Sequence, residues 1–240
     1  MSFLPQYYST TDDQNIVITA DQGSDFAKQI ADDFNPIHNT DSKRFCVPGD
    51  LLFSIALQQY GLHQDMSFSF RELIKADTPL NYPPLSPVPA SVIVLCDRST
   101  QVLSIDYSGD AMNDSNKIDQ LIRSYVIFSG QNFPHILVPL MKQHNVMINP
   151  TRPLVIYESM SLHFDSLEFQ NLNIELGKTE LEVVGKRGNC TLHFDIDDQG
   201  RKIGTGLKRL VLSGLREYQQ EAIDRMCDEY LASKEAQKNN

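Results

Sequence analysis

A chain of 240 residues, 41% hydrophobic and 22% charged, has the composition of an ordinary globular protein, long enough for one large domain or two small ones. Its formal net charge of −10 argues against a dedicated nucleic-acid binder, whose affinity rests on neutralising phosphates. No apolar stretch approaches the ~20 residues of a membrane helix, and the opening Met1-Ser-Phe-Leu-Pro5 lacks the basic and apolar regions of a signal peptide. A cytoplasmic protein that does not enter membranes is therefore expected. Cys46, Cys96, Cys190 and Cys227 are scattered without metal-type spacing and read as reduced thiols.

The first fifteen residues are polar and read as an irregular lead-in, followed by a short β-branched strand at Ile16–Thr19. Ser24 is the expected N-cap of a short helix carrying Phe26, Ala27 and Ile30, which Pro36 stops. A polar connector from Asn39 to Val47 carries Lys43 and Arg44. Next, Gly49 to Tyr60 reads as a helix closed by Gly61; it is apolar nearly all round and so buried on most sides.

Met66 to Ile74 alternates as a strand. The five prolines between Thr78 and Pro89 exclude an interior strand there. Ala90–Cys96 and Gln101–Tyr107 read as a hairpin around Asp97-Arg-Ser-Thr100. The acidic stretch Gly109–Asn116 is the best boundary between an N-terminal domain, 1–110, and a C-terminal domain, 111–240.

Beyond it the plan repeats. Ile118, Leu121, Ile122, Tyr125 and Val126 share one helical face, a second apolar helical run follows at Ile136–Met141, and strands are expected at 154–169, 180–184, 190–196 and 206–212. A charged helix, Glu217–Lys238, closes the chain. The fold expected is α+β, with helix then antiparallel strands twice over.

The chemistry concentrates in Asp33-Phe-Asn-Pro-Ile-His38 and in the helix start at Gly49. A carboxylate and an imidazole five positions apart form an acid/base pair, and a helix start offers free N–H groups and a positive dipole end that can hold an oxyanion. This motif, with Pro48-Gly49-Asp50 and the Leu-Leu-x-Ser-Ile run after it, resembles the MaoC-like, (R)-specific enoyl-CoA hydratase branch of the hot-dog superfamily over residues 24 to 74. Pro48 stands where that family carries a histidine, and the connector from His38 to Gly49 is shorter.

The resemblance implies a double hot-dog: two antiparallel sheets, each wrapped around a central helix and packed as a pseudo-dimer. It implies that Asp33 and His38 activate water and that the Gly49 N–H polarises a thioester carbonyl. The activity implied is addition of water to a trans-2-enoyl thioester. Coenzyme A or phosphopantetheine would belong to the substrate, with no separate cofactor, no metal, no nucleic-acid partner and a possible homodimer.

Asn35 reads as a brace of the loop or a substrate contact. Lys43 and Arg44 read as partners for pantetheine-linked phosphates or as a solvated loop. Asp50 reads as dipole compensation in a first helical turn, and it also keeps acyl-CoA thioester hydrolysis open. Gln131, Asn132 and His135 echo the motif without its carboxylate, so the second half is expected to supply pocket wall and not chemistry. The rival reading is a non-catalytic hot-dog that binds acyl thioesters or a protein partner.

Overall fold

The computed structural model describes residues 2–85, 91–96 and 100–238. Two-residue strands β1 (Ser9–Thr10) and β2 (Ile16–Val17) precede helix α1 (Ala20–Asp25). Thr19, not Ser24, caps α1: its hydroxyl accepts from the Gln22 amide while the Gln22 side chain reaches back to the Thr19 N–H, a reciprocal capping box. Ser24 lies inside the helix and is buried. The helix continues as a π-helical stretch, Phe26–Ile30, and ends there, six residues before Pro36.

Helix α2 runs Gly49–Tyr60 and ends on Gly61 at φ 77°, the left-handed geometry that favours glycine at a helix end. Strand β3 then spans Leu62–Phe70, earlier than the alternation at 66–74 suggested. It is followed by β4 (Leu80–Asn81), β5 (Ser91–Cys96) and β6 (Thr100–Met112). The core of the expected 97–100 turn and the end of the proline-rich stretch lie outside the described residues. Gly109–Met112 is strand, and Asp114 caps the next helix, α3 (Ser115–Gly130), by accepting from the amides of Asn116 and Lys117.

Short helices α4 (Asn132–His135) and α5 (Leu137–Gln143) lead to β7 (Val146–Met147). The long strands β8 (Val155–Phe164), β9 (Leu172–Val184), β10 (Arg187–Asp198) and β11 (Arg201–Ser213) come next, then β12 (Arg216–Glu217) and helix α6 (Gln220–Lys238). No helix among the described residues is long and apolar enough to cross a membrane.

The architecture is α+β with two antiparallel sheets, but they are not one per half. Among the described residues, ten strands form a continuous sheet in the order β1-β2-β4-β5-β6-β3-β8-β11-β10-β9, and β7 pairs with β12. The expectation of two sheets, each wrapped around its own helix, gives way to this single sheet because β3 hydrogen-bonds directly to β8, with Met66 opposite Leu162 and Phe68 opposite Met160.

Inward residues of that seam are buried, as period-two alternation requires. Phe68 of β3 meets Phe53 of α2 edge-on at 5.1 Å, and Phe194 of β10 lies 5.7 Å from Tyr125 of α3. Phe53 and Tyr125 touch at 4.8 Å, so the two helices and the sheet share one core. A second cluster gathers α5, β10, β11 and α6 around Met141, Leu192, Leu212 and Ile223.

Candidate active site

Asp33 and His38 are positioned by the backbone between them. Asp32 adopts φ 54°, a left-handed conformation that Asp tolerates better than most side chains, and this turns the chain out of the helix. The Asp33 N–H donates to the Ala27 carbonyl at 2.8 Å, and its Oδ1 accepts from the Asn35 N–H at 2.9 Å. Asn35 caps the single 3₁₀ turn Pro36–His38, its Oδ1 accepting from the Ile37 N–H at 3.2 Å. Asn35 thus braces the loop. These nested side-chain turns are local, each made between residues two apart within the motif.

His38 Nδ1 lies 2.7 Å from the Cys46 carbonyl oxygen. A carbonyl only accepts, so Nδ1 carries the proton, and in the neutral ring Nε2 keeps its lone pair. Nε2 stands 3.7 Å from Asp33 Oδ2, beyond direct hydrogen-bond reach. Both side chains are largely buried, 12% and 25% exposed, and both line a cavity of about 320 Å³.

Gly49 opens α2 on the wall of the same cavity, and Pro48 before it offers no side-chain cap. A Cβ at Gly49 would sit 2.9 Å from Tyr157 Cδ1, so the tyrosine ring packs against the bare glycine. Asp50, next in the helix, is 8% exposed. Its Oδ2 accepts from the Ser129 hydroxyl at 2.6 Å, while its Oδ1 has no hydrogen-bond partner among the described residues.

Lys208 Nζ donates to Ser129 Oγ and, at 3.4 Å, to the Ser129 carbonyl, and lies 4.3 Å above the Tyr157 ring. The hydroxyls of Tyr157 and Tyr125 hydrogen-bond to each other. Burial pushes the Asp50 carboxyl upward, opposed by the Lys208 ammonium and the Ser129 hydroxyl. Burial likewise pushes Lys208 downward, opposed by the carboxylates of Asp50 and Asp33.

Asp33, Asn35, His38, Gly49 and Asp50 therefore share one cavity, whereas Lys43 and Arg44 are exposed on the connector and do not line it. In the echo motif, Asn132 is buried in the cavity wall with its Oδ1 unpartnered among the described residues, and His135 is exposed. No group of His, Cys, Asp and Glu side chains that could hold a metal occurs among the described residues.

Sequence reasoning missed Ser129, Tyr157, Lys208 and Tyr230, all lining the cavity from the second half. Two of these had a signal. Ser129 continues the helical spacing of Tyr125 and Val126, and Lys208 falls on the inward period of Leu210 and Leu212. Tyr230 arrives on α6, where its hydroxyl accepts from the Phe34 N–H at 3.3 Å and donates to the Asp32 carbonyl at 3.2 Å.

Comparison with solved structures gives likenesses of low identity. A conserved protein of unknown function with hot dog fold from Alicyclobacillus acidocaldarius has a TM-score of 0.46 and 8% identity, covering 89% of this chain and 98% of that one. An acyl-CoA thioesterase II, TesB2, from Mycobacterium marinum has 0.44 and 8%, covering 90% and 99%. A MaoC-like dehydratase has 0.43 and 9%, covering 87% and 98%. Thioesterase and dehydratase stand side by side at these scores, and neither branch is singled out. No curated protein matches the sequence significantly. The family model for "Protein of unknown function (DUF3581)" matches residues 2–221, and the chain belongs to that family.

Proposed function

We propose that this DUF3581 member is an acyl-thioester enzyme of hot-dog-like plan whose Asp33–His38 pair activates water for addition to a trans-2-enoyl thioester. The observation that carries the reading is the pair itself. The Cys46 carbonyl fixes the His38 tautomer with Nε2 free, and 3.7 Å to Asp33 Oδ2 is a span that one shared water bridges.

In the reaction, His38 Nε2 takes one proton of that water while Asp33 Oδ2 accepts a hydrogen bond from the other. The oxygen attacks the β-carbon, and the electron pair of the double bond moves through the α-carbon to the thioester oxygen. The Gly49 N–H at the uncapped start of α2 holds that oxygen. The imidazolium then returns its proton to the α-carbon. Asn35 acts through the loop and not on the substrate. The neighbouring Asp50 does not oppose the developing anion outright, because Lys208 offsets its charge across Ser129.

The test is loss of enoyl absorbance with short and medium trans-2-enoyl thioesters. Wild type is expected to turn over, and Asp33→Asn and His38→Ala are each expected to lose about 10²- to 10⁴-fold. Unchanged hydration in Asp33→Asn would overturn the mechanism. Hydrolysis of the thioester is a second reading, favoured by one observation: a buried carboxylate, Asp50, stands in the cavity wall beside the same helix start.

A further inference from the structure

We propose that Ser129 is a nucleophile, with Asp50 as its base and Lys208 as its charge partner, and that it takes the acyl group of a saturated thioester. This rests on the reading of the cavity as a thioester site and gives it a covalent route that hydration does not use. The three side chains come from α3, α2 and β11, are 3%, 8% and 3% exposed, and all line the cavity.

The geometry meets the requirements of an activated hydroxyl. The Ser129 hydroxyl already donates to Asp50 Oδ2 at 2.6 Å, so its proton has a short path to a carboxylate that burial makes more basic. Lys208 Nζ donates into the same Ser129 oxygen, where an ammonium stabilises the alkoxide formed on attack. The residue before Asp50 is Gly49, whose amide heads α2, so base and oxyanion donor are consecutive residues.

A buried ion pair that serves packing alone is expected to have its oxygens satisfied. Asp50 Oδ1 has no partner among the described residues, nor has Asn132 Oδ1 in the same wall. Buried polar groups left half-satisfied are either held by ordered water or kept for a chemical role, and the second fits a carboxylate that acts as a base.

The step balances. Ser129 Oγ bonds to the carbonyl carbon as its proton passes to Asp50 Oδ2, and the carbonyl electron pair moves onto oxygen at the α2 amides. The pair returns, the carbon–sulfur bond breaks, and the thiolate leaves with the proton from Asp50. The acyl-Ser129 ester is cleaved by water that gives one proton to His38 Nε2. The serine oxygen leaves with its bond pair and recovers that proton. Thioester and water become acid and thiol.

The experiment uses the full chain with hexanoyl N-acetylcysteamine thioester and p-nitrophenyl hexanoate, probes that cannot be hydrated across a double bond. Intact mass and peptide mapping locate the acyl group. The expected result is a hexanoyl ester on Ser129, accumulating in Asp33→Asn because its release needs the activated water. No such ester should form in Ser129→Ala, and in Lys208→Met its formation should be at least about a hundredfold slower. Ser129→Cys keeps a nucleophile in place and is expected to acylate as a thioester, which serves if the alanine variant does not fold.

Absence of adduct on Ser129 with both probes overturns the proposal. So does acylation confined to Cys46, the cavity thiol, or release by folded Ser129→Ala at the wild-type rate. Because no enoyl substrate is involved, absence of an adduct leaves the Asp33–His38 reading to its own test, and absence of hydration leaves the acylation of Ser129, which uses neither residue, to this one.

Discussion

Lys208 occupies an inward position of β11 whose sheet neighbours are Met160 on β8 and Leu192 on β10, both buried. An ammonium in such surroundings persists only with compensating partners, and Asp50 across Ser129 is the stronger of its two carboxylates, with Asp33 the other. The other groups that bear on Asp50 are Asp33 and His38 from the loop and the hydroxyls of Tyr125 and Tyr157 from α3 and β8.

Asp50 holds its proton more tightly folded than unfolded. Its contribution to stability is therefore present below the ordinary carboxylate pKa and fades as pH rises through the raised, folded value. Lys208→Met removes the cation that opposes this rise, so Asp50 titrates still higher and is left uncompensated once ionised. Thermal unfolding across a pH series should show the variant at or above wild type in acid, where Asp50 is neutral in both, and destabilised by about 3–5 kcal/mol where Asp50 is ionised. A pH-independent difference would contradict the pairing.

At the scale of elements, α6 forms one wall of the cavity and latches onto the motif loop. The Tyr230 hydroxyl bridges Phe34 and Asp32, its ring meets Phe34 at 6.0 Å and Phe133 at 5.5 Å, and Lys234 pairs with the Asp32 carboxylate. The family match ends at residue 221, so most of this helix lies beyond it. Tyr230→Phe keeps the ring and removes both hydrogen bonds. It should cost about 1–2 kcal/mol in denaturant unfolding and lower hydration by loosening Asp33; retention of both stability and rate would show that the latch is idle.

The elements legible in the sequence were those whose signal is local. Helix α2 and its Gly61 end follow from an apolar run and a glycine stop, and the motif loop from Asn-Pro punctuation. The Thr19–Gln22 capping box was equally local but passed over for Ser24. Strand β9 begins eight residues before its apolar end because it is a sheet edge with an exposed, polar face, and alternation there is weak. The Asp50–Ser129–Lys208 cluster spans 79 residues at each step, so only period and burial place its members on inward faces, and only the fold brings them together.

Over the whole molecule, the cavity lies where the two halves meet: the first supplies the motif loop and α2, the second supplies α3, β8, β11 and α6. Its lining carries four carboxylates, Asp33, Asp50, Glu72 and Glu229, against one lysine, Lys208, in a chain of net charge −10. Such a field repels the phosphates of coenzyme A. Raising ionic strength should lower KM for coenzyme A thioesters through screening and leave KM for uncharged N-acetylcysteamine thioesters unmoved. A rise in KM for coenzyme A thioesters would instead show an attractive basic surface, with exposed Lys43 and Arg44 as its first candidates.

The central claim is that Asp33 and His38 activate the water that attacks a thioester-bound double bond. It is tested most directly by one assay with trans-2-hexenoyl N-acetylcysteamine thioester, following enoyl absorbance and free thiol together. Loss of absorbance that outpaces thiol release in wild type, and that is abolished in both Asp33→Asn and His38→Ala, is the result predicted. Undiminished hydration in either variant, or no loss of absorbance in a folded wild type across chain lengths and carriers, would contradict it.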